Sequence, residues 1–380
     1  MTRDTTISIA KGIAIILMVI AHAEAPSWLC KFIFEFHMPL FFITAGYFFS
    51  LRYLHDEATF VKKRIKGLYW PFVKWALFFL ILHNWMFDIG ILNEVYGNEQ
   101  GGVLHPWSWH QMQQNIWNIF TAMGGYDAFL CGAFWFFRGL FVASILYLIL
   151  YKVILKVLPQ RAAVSVPYLI CLLMLLLCGW KTWEGLKVVN IVQGGYREMM
   201  GCFFFGIGFI FRQYVIVFRE RMSHYHTRLW SSLLFAVVVF LFSKYLTANM
   251  NWRSSFVQFL SLPIPAILGF LMTYNLSSWI DEHPWKFKQL LAYIGDHTLY
   301  IFIFHIISYK TVSLLKIWYY GLDPRQIGCH MVIHEHSQED WFWVLYTIAG
   351  VGLPLTGIWL YEKGKRKIIE YRASSASQVQ

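Results

Sequence analysis

The chain has 380 residues, of which 58% are hydrophobic and only 14% charged, with a mean hydropathy of +0.49. Soluble domains carry about 25% charged residues, and the deficit here runs along the whole chain, which excludes an ordinary soluble domain and points to a polytopic membrane protein. The formal net charge of +11 would suit a nucleic-acid binder, but the placement of those charges argues against that partner.

A membrane-spanning helix needs about 20 mostly apolar residues, and on that criterion the sequence predicts an all-α protein with about ten spans. In chain order they are 7–23, 29–50, 68–92, 133–155, 164–179, 198–217, 229–246, 256–280, 290–317 and 341–362. The first lacks a clean small-residue cleavage site, so it reads as a span and not as a removed signal peptide. Lysine and arginine favour cytoplasmic loops. With the N-terminus inside, the inner loops collect Arg52, Lys62, Lys63, Arg64 and Lys66, then Lys152, Lys156 and Arg161, then Arg212, Arg219, Arg221 and Arg228. The longest outer connection, 93–132, has neither residue type. Both termini are therefore expected in the cytoplasm, and the basic balance is a product of topology that needs no nucleic acid. One integral-membrane domain, 1–372, is expected, followed by a loose tail, 373–380.

The first span contains "KGIAIILMVIAH". Lys11 and His22 are eleven residues apart, about 1100° of helix rotation, so they share one face and stand roughly 16 Å apart along the axis. One face thus offers a cation at one depth and a titratable imidazole nearer the outer side. A snorkelling lysine and a histidine bonded across a helix interface would give the same spacing.

The second span contains "EFHMPLFFITAGYFF". Ionisable groups at this depth are costly. His37 precedes Pro39, whose ring frees a carbonyl one turn back. Such a break is tolerated only against protein or a wet cavity. Glu35 points to a different face from His37 and reads as structural. Gly46 permits close helix approach. Within 93–132, "WSWHQMQQNIWNIFTAM" spaces Trp109, Met112, Ile116, Ile119 and Met123 as an amphipathic helix lying in the outer interface. Its tryptophans suit the headgroup layer; a lid that stacks on sugars is the sharper alternative.

The fourth span opens with "FWFFRGLF", which places Arg138 one turn inside. In the ninth, "GDHTLYIFIFH" sets His305 near mid-span and His297 near the inner end. His22, His37, Arg138 and His305 all fall between the membrane centre and its outer edge. Their shared depth points to a buried polar site in the helix bundle. The six cysteines show no metal-like spacing; Cys30, Cys131 and Cys329 fall in outer regions, where one disulfide could form.

Taken together, these segments resemble acyltransferase family 3, integral-membrane enzymes that O-acylate bacterial surface carbohydrates. "ISIAKGIAIILMVIAH" is similar to the family's opening basic-x10-His helix, and "FEFHMPLFFITAGYFF" to its Phe-His-Met-Pro-Leu-Phe-Phe signature. "KKRIKGLYWPF", "WFFRGLFVASILY" and "IGDHTLYIFIFH" resemble its basic, Trp-Phe and Gly-x-x-Ser-Leu-Tyr segments. Lys11 stands where arginine is commoner, Thr44 and Thr298 stand for serines, and the basic segment lacks an Arg-x-x-Arg register. No esterase-like domain is seen, as in the stand-alone form.

The resemblance implies transfer of an acyl group, most often acetyl, from acetyl-CoA to a hydroxyl of a cell-surface carbohydrate or its lipid-linked precursor, at a bacterial inner membrane and without a metal. A hydroxyl that attacks a thioester needs a general base, and imidazole titrates near working pH. His22 is the expected base, with His37, Arg138 and His305 as orienting or electrostatic groups. Lys11, Arg64 and Lys66 are expected to attract the coenzyme A phosphates. The chief rival is a transporter or exporter with a buried His/Arg path, against which no paired repeat of broken helices is visible. A second rival is a membrane protein whose polar residues merely join helices.

Overall fold

The computed structural model describes residues 4–97, 104–184, 195–218, 225–250, 255–333, 335–336 and 340–377. Within them the regular structure is entirely helical. The helices are α1 (Thr5–Ala21), α2 (Ser27–Phe34), α3 (His37–Tyr47), α4 (Glu57–Arg64), α5 (Trp70–Asp88), α6 (Trp109–Ala122), α7 (Trp135–Val157) and α8 (Val166–Trp183). They continue with α9 (Tyr196–Phe218), α10 (Tyr225–Tyr245), α11 (Phe256–Ser261), α12 (Pro263–Glu282), α13 (Phe287–Asp296), α14 (Thr298–Tyr320) and α15 (Phe342–Ser377). Nine helical segments among the described residues are long and apolar enough to cross a membrane, and α1 is a shorter apolar helix. The chain is an all-α polytopic membrane protein. The last helix runs into the segment expected as a loose tail. Of the outer connection, 98–103 lies outside the described residues. All six cysteines are free thiols.

Two expected spans are broken. The second divides at Glu35 and Phe36, because Phe36 leaves helical geometry and Pro39 has no N–H to return. The ninth divides at His297. The polar turn Gly295–Thr298 interrupts the hydropathy there, and α13 is fastened to α1. Ser8 donates to Asp296 (2.8 Å), and Gly12 and Gly295 bring the two backbones into contact. The third span is longer than expected, because a π-helical turn, Ile65–Tyr69, joins α4 to α5. Single π turns re-aim the side chains around them and are frequent at functional sites.

The centre of the bundle is built on α1, which packs against α3, α12, α13, α14 and α15. Asp4 starts α1 by accepting the Ile7 amide (3.1 Å) and also accepts the Tyr47 hydroxyl from the end of α3 (3.0 Å). Between α3 and α9 the close approach expected of Gly46 is present. A Cβ built there would collide with the Phe205 carbonyl, and one on Gly208 with that of Ile43. Small residues at such crossings let packing and carbonyl contacts hold helices together where lipid offers no hydrophobic drive. In the connection between α5 and α7, α6 forms as the periodicity predicts, opened by a Ser108–Gln111 capping box. Trp109 and Trp117 are exposed, whereas Ile119 is fully buried.

Gly46→Ala is expected to lower stability by at least about 1–3 kcal/mol through overpacking. Gly67→Ala, where a Cβ meets nothing within 4 Å, should leave the melt nearly unchanged. Thermal unfolding of the two detergent-purified variants, followed by size exclusion, distinguishes them.

Candidate active site

The geometry of α1 sets the position of His22. It is the residue that ends the helix, its amide bonded to the carbonyls of Met18 (3.2 Å) and Val19 (3.1 Å). Its ring stands 5.5 Å, centroid to centroid, from that of His305 on α14. His305 is fully buried, and its Nδ1 lies 2.9 Å from the Phe302 carbonyl and 3.2 Å from that of Ile301. A carbonyl can only accept, so Nδ1 carries the proton, and in the neutral ring Nε2 is left as an acceptor. That Nε2 has no hydrogen-bond partner. His37 is held in the same way: at the first position of α3, its Nδ1 donates to the Ile33 carbonyl (2.9 Å), which also accepts the Phe36 amide (3.2 Å) where α2 ends. Both tautomers are thereby set by local backbone.

His22 and His37 line one small cavity of about 100 Å³ together with Arg197, Asn249, Trp135, Met18, Met38 and other apolar residues. Arg197, at the start of α9, is the guanidinium that reaches it, 4.2 Å above the Trp135 ring, and its Nε has no hydrogen-bond partner. Arg138, the arginine singled out from the sequence, lies elsewhere: its Nε donates to Glu198 (3.0 Å), and it does not line this cavity. The reason is a register effect. Adjacent residues on α9 point to different faces, so Glu198 turns toward α7 and captures Arg138, while Arg197 turns toward the histidines. From sequence Arg197 counts as a loop cation. Its only signal is the Arg-Glu pair that opens an otherwise apolar helix. His305 lies beside His22 but is likewise not a wall of the cavity.

Glu35 takes the structural part expected of it. Fully buried, it accepts the Ala248 amide (3.0 Å). That bond anchors the segment whose next two residues, Asn249 and Met250, line the histidine cavity.

A second cavity, of about 260 Å³, lies along the same face of α1. Lys11, Thr44 and Thr298 are its polar walls, and Ile15, Phe41, Phe136, Leu140, Leu299 and Phe302 are among its apolar ones. Met18 and Met38 line both cavities, so these two thioethers stand between them. The expected face-sharing of Lys11 and His22 therefore becomes one cation in the first chamber and one imidazole in the second. Arg64 and Lys66 line neither. Arg64 stacks on Phe60 (4.8 Å) and Phe205 (5.5 Å), and Lys66 is exposed on the π turn.

The side carrying His22 is covered by a layer clamped with charge. Lys310, inside the ninth predicted span, is buried and donates to the carbonyls of Ile327 (2.9 Å) and Cys329. Lys316 bonds Asp340 (2.9 Å) and the Ile333 carbonyl (3.1 Å). Buried His83 bridges Asp127 (2.8 Å) and the His105 carbonyl (2.9 Å) and stacks on Trp107. Among the described residues no cluster of three or more histidine, cysteine or acidic side chains is placed to hold a metal ion.

A family model described as an acyltransferase domain matches residues 4–363, nearly the whole chain. No curated protein and no solved structure gave a match.

Removing one partner of a buried ion pair leaves an uncompensated charge and costs about 3–5 kcal/mol. Arg138→Met should therefore lower stability by about that much, because Glu198 is left behind. The double variant Arg138→Met/Glu198→Gln should regain most of the loss. A double-mutant cycle of thermal melts tests both; strictly additive losses would contradict the pairing.

Proposed function

The chain belongs to the acyltransferase 3 family, and from that premise we propose that this membrane acyltransferase carries an acetyl group from acetyl-CoA to a hydroxyl of a bacterial cell-surface carbohydrate or its lipid-linked precursor, with His22 as general base. The observation that carries this reading is the pair of cavities meeting at Met18 and Met38, one holding Lys11 and the other His22, His37 and Arg197. A thioester on a slender arm can come from the first chamber and a hydroxyl from the covered side. Neither substrate then needs to cross the membrane entire.

In this reading the acceptor O–H donates to a ring nitrogen of His22 while its oxygen attacks the thioester carbonyl carbon. The C–O bond forms, negative charge collects on the carbonyl oxygen, and the C–S bond breaks as the tetrahedral species collapses. The thiolate then takes the proton back from the His22 imidazolium, so the products are ester and free coenzyme A with no net proton released. Arg197 suits the oxyanion: it is already desolvated, held against Trp135, and has an N–H to give, so little reorganisation is needed as charge develops. His37, with Nδ1 fixed, presents Nε2 to the acceptor. His305 suits an orienting part: its ring stands 5.5 Å from that of His22, centroid to centroid, with an Nε2 lone pair that has no hydrogen-bond partner. Arg138 acts only through Glu198, by holding α9.

Coenzyme A carries its phosphates far from its thiol. Lys11, Arg64 and Lys66 lie at the end of the bundle that the basic loops assign to the cytoplasm, and they suit those phosphates. Lys11 is the nearest of them to the thioester path, since it alone lines the chamber. The location this implies is the inner membrane, with the acceptor approaching from outside.

Purified protein in detergent should bind acetyl-CoA saturably and hydrolyse it slowly when no acceptor is present. His22→Ala should lose at least about 10²-fold in that turnover, the usual weight of a general base, while still binding acetyl-CoA. Arg197→Gln should lose turnover with Arg138→Gln far less affected per folded molecule. Wild-type turnover by His22→Ala would rule out the assigned base. A transporter or a purely structural protein predicts no specific binding at all.

A further inference from the structure

The two chambers differ in size as well as chemistry, and the wall between them is made of the most adaptable side chains available. We propose that Met18 and Met38 form a size filter for the acyl group, passing the slim arm of the donor while confining its acyl tail to the small histidine chamber. The inference rests on the acyl-transfer reading above and adds what sets the donor's acyl length.

The argument is one of volume and direction. If the thioester carbonyl reaches His22 and Arg197, its sulfur side must trail back between Met18 and Met38 toward the larger chamber, because Lys11 is on that side. The acyl tail then has only the histidine chamber to occupy. That chamber measures about 100 Å³, against about 260 Å³ for the other. An acetyl group has three non-hydrogen atoms. A cavity of about 150 Å³ takes in a single benzene ring, and a hexanoyl chain, with more non-hydrogen atoms than that ring, exceeds the smaller space. It could enter only by folding back through the passage already filled by the donor's arm.

The remaining walls are poorly placed to yield. Trp135 is held beneath the Arg197 guanidinium, Met250 belongs to the segment that Glu35 anchors, and Ala133 is small and backbone-close. Met18 and Met38 are nearly buried, at 1% and 8% exposure, yet methionine is unbranched and fills irregular gaps by changing rotamer. Those two side chains therefore set both the width of the passage and the floor of the chamber. The second-span histidine and the residue after it thus divide the labour: His37 faces the chemistry, and Met38 limits what reaches it.

The test is acceptor-free hydrolysis of acetyl-, butyryl- and hexanoyl-CoA by the full-length protein in detergent. The wild type should cleave hexanoyl-CoA at least about tenfold more slowly than acetyl-CoA, as expected when extra methylenes have no pocket. Met18→Ala and Met38→Ala should each raise the hexanoyl-to-acetyl ratio several-fold, whereas the volume-conserving Met18→Leu and Met38→Leu should keep it. Ala133→Val encroaches from another wall and should depress butyryl relative to acetyl cleavage, a readout that survives should the alanine variants fail to fold. Equal rates on acetyl- and hexanoyl-CoA in the wild type, or an unchanged ratio in folded alanine variants, would overturn the filter. Cleavage of none of the three by the wild type would instead overturn the acyl-transfer reading itself, and the filter with it.

Discussion

Hydrocarbon supplies no hydrogen bonds, so a polar atom at membrane depth must find its partner within the protein. His37 and His305 meet that demand with carbonyls three or four residues earlier in the chain, Ile33 for the first and Ile301 and Phe302 for the second, and this constraint organises the site. An Nδ1–H given to a carbonyl fixes ring, tautomer and direction at once, leaving a lone pair at Nε2. His22 is placed differently, at the point where α1 ends, and needs no distortion of the helix to stand beside His305. What would be an energetic liability in lipid becomes a set of oriented bases with little freedom to reorganise. Such preorganisation is what proton transfer and oxyanion stabilisation draw on.

The irregularities of the fold serve this arrangement. At the break between α2 and α3, His37 bonds the Ile33 carbonyl and Glu35 meets Ala248, where it secures a wall of the cavity. The contact of Gly12 with Gly295 stops α13 and lets α14 start afresh, which sets the rotation that brings His305 to His22. The π turn carries Lys66 while Leu68, at its end, reaches the chamber of Lys11. None of these features is independent of the others, because α1 packs against most of the helices involved.

How much of this could be read from the sequence follows from the range of each interaction. Lys11 and His22 were legible because eleven residues on one helix determine a shared face without reference to any neighbour. Gly46 and the helix at Trp109 were legible for the same local reason. Arg197 was not, since its place at the cavity depends on Glu198 turning away to meet Arg138, sixty residues earlier in the chain. The division of the ninth span was hidden because a window of about 20 residues averages the polar turn at Asp296 and His297 into its apolar flanks, and α13 is fastened to α1. Lys310 falls inside the ninth predicted span, an ion at membrane depth, but its partners are backbone carbonyls of the following loop, which carry no sequence signature.

The account stands or falls on whether donor and base meet across Met18 and Met38. The most direct measurement is a structure of the protein bound to a non-cleavable acetyl-CoA analogue. The account predicts the phosphates near Lys11, Arg64 and Lys66, the arm between the two methionines, and the acetyl carbonyl within hydrogen-bond reach of Arg197, about 3 Å, with His22 alongside. An analogue lodged outside both chambers, or with its acetyl group far from His22, would contradict it.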